Sequence, residues 1–313
     1  MTDQRIAIIG AGVAGLTAAR TLRAAGRSPR VLDKGRSIGG RLASRQTREG
    51  PAFDHGAQYV TARLDGFAQE LSLAAATGTA AVWETAKGRA RYVGMPAMNS
   101  LAGHFAGDAE VELGVEVTSL RAGPDGWTVA TTEGEEAFET VLLAVPAPQA
   151  VRLLGDHPLV ERLRQVEMAP CLTLMAAFEP GPPAPFTSRE DRTADLAWVA
   201  HDGGKPGREA AATFVAHADE DWSRAHLEAD KDEIARLMLP LLCDAIGRPD
   251  EEARLMRGHR WRYARVTAPL GAPCIADHSG TLLLGGDWCL GARVEAAWQS
   301  GIALAERVLD PET

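Results

Sequence analysis

The sequence predicts an α/β fold in which one parallel sheet takes strands from both ends of the chain. Near the start, the apolar run Ile6–Ile9 is typical of a buried strand and leads through a glycine-rich turn into a helix-forming stretch, Leu16–Ala25. Near the end, Thr281–Leu284 has the same buried-strand pattern and precedes a long predicted helix, Ala292–Leu309. Several strand-like runs lie between these regions, which predicts a second, α+β part with an antiparallel sheet.

The first glycine turn has the pattern that places a phosphate group at a helix N-terminus. Gly10 permits the tight turn, Gly12 lets the backbone approach a pyrophosphate, and Gly15 allows the helix to pack closely on the strand. Asp33 lies 18 residues beyond Gly15, where a carboxylate can accept hydrogen bonds from an adenosine ribose. The alternative for the glycines alone is an ordinary strand turn. Together these features predict a dinucleotide site contacted by Gly10, Gly12, Val13, Ala14, Gly15 and Asp33.

Two further segments favour FAD as the dinucleotide. After Lys34 the chain reaches Gly39-Gly40-Arg41, where a second close backbone approach and a guanidinium can serve the same diphosphate, although this segment alone is compatible with a solvated loop. The carboxylate after Gly285-Gly286 can hold ribityl or phosphate-side hydroxyls, and the following helix N-terminus can stabilise negative charge on an isoalloxazine ring. The contacts predicted from these segments are Lys34, Gly40, Arg41, Gly286, Asp287, Val294 and Glu295.

Six sequence blocks, spread from the first strand to the last helix, carry a resemblance to a known family. They are Gly10-Ala-Gly-Val-Ala-Gly15, Asp33-Lys34 with Gly39-Gly-Arg41, Phe53-Asp-His-Gly-Ala-Gln-Tyr59, Val141-Leu-Leu-Ala-Val-Pro-Ala-Pro-Gln149, His259-Arg-Trp-Arg-Tyr-Ala264 and Gly286-Asp-Trp-Cys-Leu-Gly-Ala-Arg-Val-Glu-Ala-Ala-Trp298. With these blocks the chain resembles the bacterial renalase-type flavoproteins, a branch of the FAD-dependent amine oxidase superfamily. The last block departs from the pattern at Ala296-Ala297, where a glycine-alanine pair is common.

The resemblance implies a Rossmann-type FAD-binding domain with a parallel sheet and a second, α+β substrate domain with an antiparallel sheet, as in amine oxidases. It implies noncovalent FAD, with Gln58, Tyr59 and Val117 also beside the cofactor. The implied reaction is hydride transfer from isomeric dihydronicotinamides, 2- or 6-dihydroNAD(P), to the flavin and then to O2, giving NAD(P)+ and hydrogen peroxide. Two alternatives stay open: an amine oxidase or desaturase of the same fold, and a noncatalytic flavin-binding protein.

Three side chains are candidates for the substrate pocket: Tyr59, Trp288 and His259. Each has a structural alternative, since the two aromatic residues can pack without touching substrate and a lone histidine is often a hydrogen-bonded structural residue. Arg260 and Arg262 alternate along a predicted strand, so they share one face and pair either with substrate phosphates or with water. The sequence assigns no lysine to the flavin, although the wider family uses one to hold a water there.

Composition limits the partners and the compartment. The 313 residues carry a net charge of −9 without a long basic run, which predicts no nucleic-acid partner, and no run approaches the ~20 apolar residues of a membrane span. The four cysteines lack paired metal spacing, so the sequence predicts no metal and the reduced thiols of a cytoplasmic protein. Cys289, directly after Trp288, could attach the flavin covalently, which is the alternative to a noncovalent cofactor.

The predicted domains are discontinuous. The FAD-binding domain is expected at residues 1–62, 101–155 and 276–313, and the substrate domain at residues 63–100 and 156–275. Strands of the antiparallel sheet are predicted at Ala81–Trp83, Arg91–Val93, Cys171–Phe178, Leu196–His201 and Ala211–His217.

Two details of the local structure are also predicted. Val111–Leu120 is expected to form one strand that pairs with Trp127–Thr131. Asp230 followed by Glu233 predicts the capped start of a helix that covers the second sheet, and Pro240 is expected to kink that helix because it removes a backbone donor.

Overall fold

The structure, a computed structural model, describes residues 4–48, 50–86, 88–248 and 252–310. Its strands are β1 Ile6–Ile9, β2 Arg30–Asp33, β3 Ser44–Gln46, β4 Ala52–Asp54, β5 Ala80–Ala86, β6 Arg89–Gly94, β7 Val111–Leu113, β8 Val117–Gly123, β9 Gly126–Thr131, β10 Glu135–Phe138, β11 Thr140–Leu143, β12 Glu167–Ala177, β13 Ser188–Glu190, β14 Leu196–His201, β15 Thr213–Ala218, β16 Leu255–Ala268, β17 Ile275–Ala276 and β18 Leu282–Leu284. Its helices are α1 Val13–Ala24, α2 Asp65–Ala76, α3 Ser100–Ala106, α4 Ala147–Leu154, α5 Val160–Leu163, α6 Glu220–Ala225, α7 Lys231–Ile246 and α8 Val294–Leu309.

A six-stranded sheet in the order β17-β18-β11-β1-β2-β7 joins the two ends of the chain. β1 runs parallel to both β11 and β2, and β11 runs parallel to β18. All four residues of β1 are buried, as expected for a strand whose two faces are both covered. The prediction that head and tail share one parallel sheet is therefore confirmed.

Helices α1 and α8 pack side by side against this sheet because glycine leaves room at two points. A Cβ at Gly301 in α8 would lie 2.4 Å from the carbonyl oxygen of Ala14 in α1. A Cβ at Gly15 would lie 2.0 Å from the carbonyl oxygen of Gly10. Only glycine permits these approaches, which agrees with the packing role predicted for Gly15.

The antiparallel sheet has the order β13-β14-β15-β12-β16 and is covered on one face by α7. The apolar residues Ile234, Met238 and Leu242 of α7 are fully buried against it. The predicted cap is confirmed, since the side chain of Asp230 accepts hydrogen bonds from two backbone N–H groups of the first turn. The helix continues through Pro240, and a kink there stays a prediction.

The prediction of a single strand over Val111–Leu120 is wrong. The structure divides it into β7, in the parallel sheet, and β8, which joins β9 and β10 in a separate antiparallel sheet. The strand is interrupted at Gly114, where φ is +79° and the N–H donates to the carbonyl oxygen of Gly35 over 3.0 Å.

The runs around Ala81–Trp83 and Arg91–Val93 do not join the large antiparallel sheet, which corrects the prediction for them. β5 and β6 form a two-stranded hairpin of their own. Tyr92 pairs with Val60 through an isolated bridge, so this hairpin lies against the segment that follows β4. Among the described residues, no helix combines the length and apolar character that crossing a membrane requires.

Candidate cofactor and substrate site

The glycine turn after β1 forms the floor of the candidate site. Gly10 has a φ of +107°, and a Cβ there would lie 2.7 Å from the carbonyl oxygen of Ala144. Gly12 begins α1 without a side-chain cap, and a Cβ at Gly12 would meet no atom within 4 Å. Since the first N–H groups of a helix lack intrahelical partners, Val13, Ala14 and Gly15 offer donors beside this open space.

The second glycine pair lies next to the first turn. The N–H of Gly39 donates to the carbonyl oxygen of Ala11 over 2.8 Å, and Gly39 pairs with Gly12 in a parallel bridge. A Cβ at Gly40 would lie 3.4 Å from the Cα of Gly12. The structure thus brings together the two segments for which the sequence predicts close backbone approach.

Asp33 lies at the end of β2 and orders the first turn. Its Oδ2 accepts from the N–H of Ala11 and its Oδ1 from the N–H of Gly35, each over 2.6 Å. A carboxylate oxygen has two lone pairs, so each retains one for a ribose hydroxyl. Lys34 instead points to the surface, where its ammonium lies 3.3 Å from Glu116.

Arg41 and Asp287 connect the N-terminal and C-terminal motifs directly. The Arg41 guanidinium donates to both Asp287 oxygens, over 2.6 and 2.7 Å, and to the carbonyl oxygen of Ala264 over 3.0 Å. The Arg41 side chain is 30% exposed and that of Asp287 9% exposed. The guanidinium of the residue that follows the second glycine pair is therefore paired but not sealed from solvent.

The rest of the C-terminal motif is tightly held. Gly286 donates its N–H to Ser300 Oγ over 2.8 Å. Val294 begins α8, and no side chain caps this helix. Glu295 is 1% exposed, and its Oε1 accepts from the N–H groups of Arg63 and Leu64, at the start of α2. Glu295 thus links α8 to α2 through one carboxylate oxygen, and its contact with the cofactor stays a prediction.

The remaining residues that the resemblance assigns to the cofactor have different surroundings. Val117 is the first residue of β8, is 8% exposed, and pairs with Thr131. Gln58 is 5% exposed; its Nε2 donates to the carbonyl oxygens of Gly56 and Asp54, and its Oε1 accepts from Lys205 Nζ over 3.1 Å.

Tyr59 packs against two residues that sequence reasoning missed, and those two also contact each other. The Arg91 guanidinium carbon lies 4.2 Å from the centre of the Tyr59 ring, and the ring of Trp198 lies 5.4 Å from it. Arg91 also pairs with Glu84. Nothing in the local sequence marks Arg91 or Trp198, because they come from β6 and β14, far apart along the chain.

His259 belongs to an aromatic cluster with His55 and Trp261. The His55 and His259 ring centres are 4.7 Å apart, and the Trp261 N–H donates to the carbonyl oxygen of His55 over 2.9 Å. Burial lowers the pKa of His259 to about 3 and the pKa of His55 to about 4, with smaller effects from nearby cations. Both imidazoles are therefore neutral near pH 7.

The two arginines beside His259 share one face, as their alternation predicts. Arg260 donates to the carbonyl oxygen of Leu227 over 2.6 Å, and Arg262 pairs with Glu228 over 2.8 Å. Both guanidinium groups thus hold the connection between α6 and α7.

Trp288 lies in the protein interior and not at a pocket wall. It is 0% exposed, its N–H donates to the carbonyl oxygen of Val145 over 3.0 Å, and it packs in the apolar cluster beneath the parallel sheet. This placement favours the packing role over the expected substrate contact. Cys289 is equally buried, and burial raises the pKa of its thiol to about 12.

These residues fit a dinucleotide carrying a diphosphate. A helix N-terminus, an open glycine turn and a partly exposed guanidinium meet within one region, which is the donor set that an extended phosphate anion requires. Asp33 in the N-terminal motif and Asp287 in the C-terminal motif each offer carboxylate oxygens that can accept hydrogen bonds from hydroxyl groups. The fold and this site define a dinucleotide-binding α/β protein.

Two protein families match the sequence. A family described as an NAD(P)-binding Rossmann-like domain matches residues 8–71, and one described as flavin containing amine oxidoreductase matches residues 61–309. Since the second match spans well over half of the chain, the protein belongs to the flavin containing amine oxidoreductase family. It is a flavin-dependent oxidoreductase.

Individual relatives agree with this assignment. Renalase from Mus musculus is 27% identical over 311 residues, covering 90% of this chain and 89% of renalase, which confirms the renalase-type resemblance. A putative protoporphyrinogen oxidase from Exiguobacterium sp. 255-15 has a TM-score of 0.77 at 15% identity, covering 98% and 99% of the two chains. An engineered triple mutant of putrescine oxidase has a TM-score of 0.71 at 15% identity, covering 99% of each chain. The two solved structures show the fold alone.

Proposed function

We propose that the protein is an oxidase with noncovalent FAD that converts isomeric dihydronicotinamides, 2- or 6-dihydroNAD(P), to NAD(P)+ with formation of hydrogen peroxide from O2. The observation that carries the proposal is the pairing of Arg41 with Asp287. This pairing connects the N-terminal glycine turns to the C-terminal motif, which supports one extended cofactor that contacts both. The similarity to renalase supports the substrate class.

In this proposal the residues of the chain bind the cofactor and align the substrate with it. Val13, Ala14 and Gly15 donate backbone N–H groups to the diphosphate, Arg41 supplies a positive charge, and Asp33 accepts from the ribose. When bound, FAD supplies hydride acceptance and electron transfer to O2. The high thiol pKa of Cys289 supports noncovalent binding, since the thiolate is the reactive form.

No general base is required on the substrate side. Loss of hydride from C2 or C6 of a dihydropyridine restores an aromatic pyridinium. The protein therefore lowers the reaction barrier mainly by orienting the substrate and excluding water. Tyr59 offers an aromatic surface for that alignment, and the low pKa values of His55 and His259 keep both imidazoles neutral. The cation of Arg91 on the Tyr59 ring disfavours recognition of a protonated amine there.

The remaining parts of the proposal concern organisation. We place the FAD-binding domain at residues 1–62, 101–155 and 276–313 and the substrate domain at residues 63–100 and 156–275. A cytoplasmic location is proposed from the cysteine spacing in the sequence.

Anaerobic mixing of the flavin-loaded protein with candidate reductants tests the substrate class. We expect rapid loss of the oxidised flavin band with 2- or 6-dihydroNAD(P) and slow loss with ordinary 4-dihydroNADH. Faster bleaching by an amine or a polyene would instead identify an amine oxidase or desaturase. A flavin that responds to none of these reductants would indicate a noncatalytic flavin-binding protein.

A further inference from the structure

The side chain of Lys205 is fully buried, and the proposed function gives it no role. Lys205 follows the short 3-10 helix Asp202–Gly204 at the end of β14, and 0% of its side chain is exposed. Its ammonium nitrogen lies 2.7 Å from Asp202 Oδ1 and 3.2 Å from Asp54 Oδ2. Burying a charge is costly unless charged partners surround it, so this lysine is held in place by a specific arrangement of carboxylates.

The third polar partner of Lys205 is Gln58, in the segment that the resemblance assigns to the flavin. The ammonium donates to Gln58 Oε1 over 3.1 Å. Because an ammonium only donates, the amide oxygen must face Lys205 and the amide nitrogen must face away. That nitrogen donates to the carbonyl oxygens of Gly56 and Asp54, so Lys205 fixes both the orientation of the amide and the chain turn around it.

Asp54 extends this network to two further parts of the fold. Its Oδ1 accepts from Ser44 Oγ over 2.7 Å and from the N–H of Met98 over 2.9 Å, and its Oδ2 also pairs with Arg208. Burial acts to raise the pKa of Asp54, but the charges of Lys205 and Arg208 outweigh it and lower the pKa to about 2. The carboxylate therefore stays ionised and keeps both cations paired.

One strand delivers two contacts to the same segment. β14 carries Trp198, whose ring packs on Tyr59, and Lys205 follows the same strand and binds Gln58. Gln58 and Tyr59 are adjacent, so the antiparallel sheet sets the position of two neighbouring side chains at the proposed flavin. Lys205 also lies 5.3 Å from the centre of the Trp83 ring, which links the β5–β6 hairpin to the same point.

We propose that Lys205 is a positioning residue that fixes the segment Asp54–Tyr59 against the flavin by binding Gln58 and Asp54. This inference rests on the proposed function only for the location of the flavin. Lys205 acts through Gln58 and does not itself handle the substrate.

The test compares Lys205→Met with a charge-balanced variant and an exposed control. Lys205→Met removes the ammonium at similar length, but it leaves buried carboxylates underpaired and can impair folding. The double variant Lys205→Met with Asp202→Asn removes one charge of each sign and keeps an oxygen acceptor at position 202. Lys231→Met, on the exposed start of α7, removes a lysine away from the network.

Two readouts separate a positioning role from a merely structural one. In flavin-loaded protein we expect the charge-balanced variant to change the visible circular dichroism of the flavin and its midpoint potential, while Lys231→Met changes neither. We also expect its limiting rate of flavin reduction to fall about tenfold or more, with a smaller change in apparent substrate affinity. Adding Gln58→Met to this variant is expected to slow reduction no further.

The failure of each proposal is recognisable separately. A charge-balanced variant with full flavin and unchanged circular dichroism, potential and reduction rate would overturn the role of Lys205, even if it melts earlier. A wild-type protein that no dihydronicotinamide reduces would overturn the substrate class, but the spectrum and potential of its flavin would still measure the effect of Lys205.

Discussion

Two ion-paired regions border the proposed site, and they differ in their access to water. The Arg41 side chain, which pairs with Asp287, is 30% exposed, whereas Lys205 and Asp54 are 0% and 2% exposed. A partly exposed guanidinium can change partners when an anionic ligand arrives, while a sealed pair cannot do so without a large cost. The difference indicates that the proposed cofactor side can accept a further charge, whereas the proposed substrate side keeps a fixed arrangement of charges.

The comparison predicts unequal losses of stability when one carboxylate is removed from each region. We expect Asp54→Ala to lower the free energy of unfolding by about 3–5 kcal/mol, because it strands two buried cations. Asp287→Ala leaves only the partly exposed Arg41 and is expected to cost about 1 kcal/mol. Denaturant unfolding of the flavin-free proteins measures both, and equal losses would remove the distinction.

Trp288→Ala tests whether the core beneath the cofactor side is rigid. Since Trp288 is fully buried, we expect a cavity that costs about 3–5 kcal/mol in the free energy of unfolding. In the molecules that retain flavin, we expect the substrate to reduce the flavin at the wild-type rate. A loaded Trp288→Ala protein with a much slower reduction rate would return this residue to the substrate pocket.

Gly12→Val tests whether the open space beside the N-terminus of α1 holds the cofactor. A Cβ at Gly12 meets no atom within 4 Å, so the fold is expected to tolerate valine, with a stability loss of about 1 kcal/mol at the helix start. The same side chain fills the space beside the helix N-terminus, so the purified variant is expected to lack flavin. Gly103→Val, at an exposed position in α3 where a Cβ also meets no atom within 4 Å, is the control and is expected to remain yellow. Full flavin content in Gly12→Val would contradict the assigned site.

The low pKa values of His55 and His259 predict a loss of stability in mild acid. Their folded-state pKa values, about 4 for His55 and about 3 for His259, lie below the ordinary value of about 6.5. Between these limits the unfolded chain binds more protons, so stability falls as the pH falls from about 6.5 toward about 4. Thermal melting as a function of pH measures this slope, and His259→Gln is expected to reduce it. An unchanged slope in that variant would show that His259 does not contribute.

The smallest expected effect comes from Lys34→Ala. Its ammonium lies 3.3 Å from Glu116 at the surface, and such a pair contributes about 0–1 kcal/mol. We expect flavin content to stay at the wild-type level in a simple absorbance measurement. Loss of flavin would restore the contact with the cofactor that the sequence predicts for Lys34.

Local glycine chemistry made the cofactor side predictable from the sequence. The need for glycine at position 15 follows from the close packing of strand and helix, and the structure shows the carbonyl oxygen of Gly10 at that point. The shared parallel sheet was also predictable, since buried strands at both ends carry the same apolar pattern. The substrate side was less predictable because its contacts join distant segments. Lys205 lies in a glycine- and proline-rich stretch that is typical of a solvated turn, and only the folded chain shows its contact with Gln58.

The central claim is that the two ends of the chain hold one FAD between Gly12 and Asp287. The most direct measurement is the flavin content of protein expressed with ample riboflavin, determined from visible absorbance and after acid precipitation. We expect a yellow protein that releases one FAD per chain into the acid supernatant. A colourless protein, or one whose flavin stays with the precipitated chain, would contradict the account.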